Sequence, residues 1–160
     1  MLTMKKTMFV AGCLLTFAGV SYAAPPDWNK GTPEQQIKTL SDVQPGLGTI
    51  MIEYSRRVSA MYYAAKGGNW GMADYQLKEA REIQEVGEHT RPGHAAMLKA
   101  FESANLEKLD TAIKAKNWKE FTGAFKEAVA GCNGCHAASG YPYIKYQLPK
   151  SSPSPTSNKP

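Results

Sequence analysis

Cysteine is scarce in this chain, with three among 160 residues, and histidine is as scarce, also with three. One cysteine, Cys13, falls in an N-terminal apolar stretch; only Cys132 and Cys135 remain beyond it. They allow at most one small disulfide, so no disulfide framework holds this fold. No second Cys-x-x-Cys and no His-x-x-x-His pair stands beside them, which leaves a four-ligand zinc site short of donors. Convincing strand patterns are absent too. A thioredoxin-type Cys-x-x-Cys therefore lacks the βαβ context it belongs to. No nucleophile–base pair, paired carboxylates or phosphate loop is present, and no enzyme is expected. Charge is not dominated by either sign: 19 Lys and Arg stand against 14 Asp and Glu. A balance this mild is not a nucleic-acid footprint, and no nucleic-acid partner is expected.

Long apolar runs are also missing. Thr7 to Val20 is the longest, and it is too short to cross a bilayer. Lys5 and Lys6 precede it, and Ser21-Tyr22-Ala23 follows as a small-x-small cleavage site. The pattern is that of a secretory signal peptide over 1–23, cleaved near Ala23, which places the mature chain in the periplasm. Val10-Ala11-Gly12-Cys13 resembles a lipoprotein processing site, but too few apolar residues precede Cys13, and anchoring through it is not expected. Without Lys5 and Lys6 the basic and acidic counts become 17 and 14, a net charge of +3.

What is present is helical periodicity. Residues 24–45 carry Pro25, Pro26, Pro33 and Pro45 and read as an extended N-terminal arm; 147–160, rich in Ser, Pro and Lys, reads as a disordered tail. Between them, 46–146 forms the expected domain. Leu47, Ile50, Met51, Tyr54, Val58 and Met61 mark a first helix, ended by Gly67-Gly68. Asn69 caps a second, with Trp70, Ala73, Leu77, Ala80, Gln84 and Gly87 on one stripe. Arg91-Pro92-Gly93 turns the chain into a third, which has a weak point near Ser103-Ala104-Asn105. Asn117 caps a fourth, carrying Trp118, Phe121, Phe125, Ala128, Cys132 and Cys135 on one stripe. The stretch Ala64-Ala65-Lys66 to Asn69-Trp70 recurs 48 residues later as Ala112-Ile113-Lys114 to Asn117-Trp118. A repeated helical hairpin and two independently chosen caps explain this equally well. Either way the expectation is an all-α fold, an antiparallel four-helix bundle.

The fourth helix ends in Cys132-Asn133-Gly134-Cys135-His136. Cys-x-x-Cys-His is the spacing of covalent c-type haem attachment: two thiols form thioethers with the haem vinyl groups, and the histidine ligates iron. Cys132 and Cys135 are thus the expected haem attachment residues, and His136 the expected proximal ligand, for one covalent haem c. No methionine or second histidine follows His136, so a distal protein ligand must come from upstream.

This arrangement resembles the cytochrome c prime (class II cytochrome c) family. The resemblance spans about Pro45 to His136 and rests on one specific motif together with helix number and order. It implies a haem held within the bundle. In some members the distal face is open; in low-spin relatives a methionine from the first helix closes it. Two departures stand out. The family often has an aromatic and a basic residue three and four positions after the proximal histidine; Ser139 and Gly140 stand here. A segment from Tyr141 to Tyr146 is then added.

Antiparallel packing brings the start of the first helix, the end of the second and the start of the third to the level of the motif. Met51 is the candidate distal ligand, with ordinary core packing as the alternative. His89, His94 and Met97 are further candidates, and an open iron is another. Met61 and Met72 read as core fillers. Arg56, Arg57 and Arg91 are candidates to pair with haem propionates. Tyr141 to Tyr146 either folds back over the haem edge or lies on the surface. The expected work is one-electron transfer with redox partner proteins, in a chain that is not an integral membrane protein and that pairs, if at all, as a homodimer. The alternative is a five-coordinate haem module binding nitric oxide or carbon monoxide. A small haem peroxidase or reductase is a further alternative; it would draw on His89 or His94 as distal acid–base groups.

Overall fold

A computed structural model of the chain describes residues 27, 29–154 and 158–160. The signal peptide expected over 1–23, its cleavage near Ala23 and the lipoprotein site at Cys13 lie outside the described residues. All regular secondary structure among the described residues is helical. The chain divides into two compact units, 1–42 and 43–160.

The first unit contains α1, Pro33–Asp42, within the segment read from its prolines as an extended arm. The reason is local. Thr32, Pro33, Glu34 and Gln35 form a capping box: the Thr32 amide donates to Gln35 Oε1 (2.8 Å) and the Gln35 amide to Thr32 Oγ1 (3.3 Å). Pro33 occupies the first helical position, where its missing N–H costs nothing. No residue of α1 is buried.

The second unit holds α2 (Leu47–Lys66), α3 (Trp70–Thr90), α4 (Ala95–Phe101), α5 (Glu107–Lys114) and α6 (Trp118–Ala138). A 3₁₀ turn, Pro92–His94, opens α4, and a π-helical turn, Glu102–Leu106, joins α4 to α5 in one continuous helical run. That π turn falls on the weak point around Ser103-Ala104-Asn105. Asn105 there donates its side-chain amide to the Phe101 carbonyl (3.2 Å). Opposite it, α6 comes unusually close. A Cβ on Gly131 would stand 3.0 Å from the Phe101 ring and 3.1 Å from the Asn105 amide, so any larger residue would have to push these side chains aside by a few tenths of an ångström.

α2 packs along α3, and α5 along α6. Between them Met61, Leu77, Leu106, Leu109 and Phe121 are fully enclosed. Alanines at 64, 73, 80, 112 and 128 are buried and let the helices approach closely. Met61 therefore fills core as expected, and Met72 packs against its edge. At the end away from the motif, Tyr62, Trp70, Trp118, Phe121 and Phe125 form a ring cluster with centroid spacings of 4.7–6.3 Å. No helix among the described residues is long and apolar enough to cross a membrane.

The two similar stretches of sequence make the same turn. Asn69 N–H returns to the Ala64 carbonyl (2.9 Å), and Asn117 N–H to that of Ala112 (3.0 Å). Gly68 and Lys116, the residues before the two asparagines, both have positive φ, 81° and 52°. These are Schellman closures followed at once by an N-cap. The Asn69 side chain accepts from Met72 N–H (3.0 Å); that of Asn117 accepts from Lys119 and Glu120 N–H (3.1 and 3.2 Å). Glycine suits this conformation and lysine does not. Lys116→Gly is accordingly expected to raise the unfolding free energy by about 0.5–1 kcal/mol, read from urea denaturation, while Gly68→Ala lowers it by a similar amount.

Candidate functional site

The attachment motif lies wholly within α6, which continues to Ala138. Cys132, Cys135 and His136 are therefore at i, i+3 and i+4 of one helix, and their side chains share a face. That face forms one wall of a cavity of about 940 Å³. Met51, Tyr54 and Val58 of α2 line it from the other side. Met97, Leu98 and Phe101 of α4 close a third side, and residues after α6, among them Ile144 and Tyr146, close a fourth. Four chain segments distant in sequence thus meet where antiparallel packing places them.

The structure sorts the remaining candidates. His94 and Met97 line the cavity; His89, Met61 and Met72 do not. His89 belongs to a separate, more open depression of about 710 Å³ on α3 and α4, whose walls mix Arg81, Lys78 and Lys99 with several carboxylates. Its Nδ1 lies 2.8 Å from the Glu85 carbonyl, one turn back on its own helix. Met97 is engaged from the motif's side: Ser139, one turn beyond His136, points its hydroxyl at Met97 Sδ (3.9 Å). Arg56 and Arg91 line the cavity. Arg57 does not, and faces Glu53 (2.7 Å) and Glu79 (3.7 Å) instead.

The electrostatic character of the cavity is one-sided. Arg56, Arg91 and Lys145 line it with two histidines, and no aspartate or glutamate does. The rest of its wall is largely aliphatic and aromatic, in keeping with the range and chemistry of small-molecule sites. Burial, reinforced by the neighbouring Cys135, pushes the Cys132 thiol up to about 12. Cys135 is also raised by burial, against a hydrogen bond from Ser139. Neither cysteine is in a disulfide. Among the described residues no group of three or more His, Cys, Asp or Glu side chains is placed to hold a metal ion directly.

Two features fix the site's polar chemistry. His136 Nδ1 lies 3.1 Å from the Ile144 carbonyl oxygen. A carbonyl only accepts, so this bond requires the proton on Nδ1 and leaves the Nε2 lone pair free to ligate. Tyr54 is 6% exposed, edge-on to Phe101 with centroids 6.5 Å apart. Its hydroxyl is buried without a hydrogen-bond partner. Burial, then the nearby Cys132 and Glu102, hold the phenol well above the usual tyrosine range. An enclosed, unpaired hydroxyl is rare in a finished protein interior and marks a wall that lacks its counterpart.

These residues fit a covalently held haem. Two thiols and an imidazole of the right tautomer occupy one wall. The apolar surround matches a macrocycle, and the cations without carboxylates match its two propionates. Tyr54 was legible only as a spacing residue of the first helix, yet it stands one turn after Met51 on the same stripe, so a cavity wall containing one contains both. The absence of acids from the lining had no signal in the sequence, because it depends on which faces of four segments meet.

Comparison with protein-family models, with curated proteins and with solved structures gave no match to this chain. An unpaired buried hydroxyl costs about 1–3 kcal/mol. In protein prepared without haem, Tyr54→Phe is expected to raise stability by about 1–2 kcal/mol in urea denaturation. A loss of stability would mean that the hydroxyl has a partner in solution.

Proposed function

We propose that this chain is an exported, mono-haem c-type cytochrome with the four-helix-bundle architecture of the cytochrome c prime family, and that it carries single electrons between redox partner proteins. One observation carries the reading. Cys132, Cys135, His136 and Met51 line a single cavity whose wall includes three cations and no carboxylate.

In this reading Cys132 and Cys135 supply the thioether sulfurs and His136 Nε2 the proximal ligand. When bound, the haem supplies a one-electron couple between ferric and ferrous iron. The chain's own residues set the conditions for it. Val58, Leu98 and Phe101 give the cavity an apolar wall, and an apolar wall raises the weight of every charge near it. Arg56, Arg91 and Lys145 provide the positive charge that two propionates need. Met51 is the distal ligand in this proposal. It lines the motif's cavity from α2, whereas Met97 lies within 3.9 Å of the Ser139 hydroxyl and His89 is outside the lining.

The test is a maturation and spectroscopic series. Expressed with its leader in a host that attaches haem to exported Cys-x-x-Cys-His proteins, the chain is expected to gain the mass of one haem, and Cys132→Ala/Cys135→Ala to gain none. The ferric wild type is expected to be low-spin, and Met51→Ala to turn high-spin. A high-spin wild type whose spectrum Met51→Ala leaves unchanged would remove Met51 as ligand and favour the five-coordinate module for nitric oxide or carbon monoxide.

A further inference from the structure

The segment after the motif has more structure than a trailing end. Gly140, at φ 87°, reverses the chain at the end of α6, and Tyr141 N–H closes the turn onto the His136 carbonyl (2.8 Å). A second tight turn follows, with Ile144 N–H on the Tyr141 carbonyl (3.0 Å). The chain then runs back beside α6. Ile144 presents its carbonyl to His136 Nδ1 (3.1 Å). Tyr146 donates its amide to Asn133 Oδ1 (2.8 Å). The Tyr146 hydroxyl lies 2.9 Å from Ser59 Oγ on α2. Ser59 spends its own proton on the Ser55 carbonyl (2.8 Å), so the tyrosine is the donor in that pair. Beyond it, the Tyr63 hydroxyl donates to the Pro149 carbonyl.

We infer that Tyr141–Tyr146 is a strap that positions His136, and that Asn133 and Tyr146 are its anchoring residues. The inference rests on the haem reading above and deepens it. The strap brings a backbone carbonyl to the imidazole from a segment that follows the helix. Ile144 is 45% exposed, so water competes for the His136 N–H unless the strap is held down. Asn133 holds it from within the motif, at one of the two positions the attachment spacing leaves variable. Tyr146 holds it from α2, across the cavity. With Nδ1–H bound to a carbonyl, the imidazole keeps the ligating tautomer, a fixed ring plane and a stronger donor Nε2. A stronger donor favours ferric iron and lowers the reduction potential.

The experiment uses the full-length haem-loaded protein. Asn133→Ala and Tyr146→Phe each remove one anchor and leave both thiols and the histidine in place. The readouts are covalent haem per chain, the reduction potential, and the exchange rate of the His136 Nδ1 proton by NMR of the reduced protein. Both variants are expected to carry haem, to exchange that proton at least tenfold faster, and to show a raised potential. Asn133→Asp, which keeps the acceptor oxygen, is expected to restore slow exchange. Tyr146 lies outside the motif, so Tyr146→Phe gives the answer even where Asn133→Ala hinders haem attachment. If loaded Tyr146→Phe protein matches the wild type in both exchange and potential, the strap does not position His136. A wild type without covalent haem overturns the functional reading itself, which is a separate result.

Discussion

Three side chains at i, i+3 and i+4 of one helix make every other feature of the site necessary. Cys132, Cys135 and His136 share a face only while α6 stays helical through the motif, and α6 does so to Ala138. That face must then look into space rather than into packed core. Beside that space α6 approaches the Phe101 and Asn105 side chains at Gly131, which brings no side chain of its own to the contact. Phe101, the last residue of α4 before the π turn, stands in the cavity wall. A bulge in one helix and a glycine in another thus meet one residue before the first motif cysteine.

Charge is sorted by the same helical geometry. Arg56 and Arg57 are adjacent in sequence and about 100° apart around α2. Arg57 is taken up by Glu53 on its own helix and by Glu79 on α3; Arg56 lines the cavity. Asp74, Glu82, Glu85 and Glu88 of α3, Glu102 of the π turn and Asp110 of α5 line the other depression, where Glu82 pairs with Lys78, Glu102 with Arg81 and Glu88 with Lys99. Acids and the attachment motif therefore occupy different faces of the same bundle of helices. A largely apolar cavity with cations and no carboxylate in its lining favours an apolar guest with negative groups at its edge, and that selectivity comes from the register of the helices.

The capping signals were legible because they are local. Gly67-Gly68, Asn69, Asn117 and Arg91-Pro92-Gly93 mark boundaries that the backbone obeys, since each acts on groups within about one turn. The same local logic accounts for α1. Its prolines suggested an extended arm, although Thr32-Pro33-Glu34-Gln35 is itself a helix start with proline at the tolerated position. The strap was visible only as an addition after Gly140. Its hydrogen bonds join Tyr146 to Ser59, 87 positions away, and no local pattern encodes that pairing.

By itself the sequence determined the helical class, the turns and the spacing of Cys132, Cys135 and His136, because these depend on near neighbours along the chain. It also narrowed the residues that face the motif to a short set by antiparallel order alone. Tertiary structure decided which members of that set line one cavity: Met51, His94 and Met97 within, His89 outside, with Met97 drawn toward Ser139. It also decided that Tyr54 keeps an unpaired hydroxyl in the wall, and that Ile144 lends its carbonyl to His136. The reason is the range of the forces involved. Caps and periodicity act within a few residues, whereas the lining of a cavity depends on how helices far apart in sequence rotate and lean against one another.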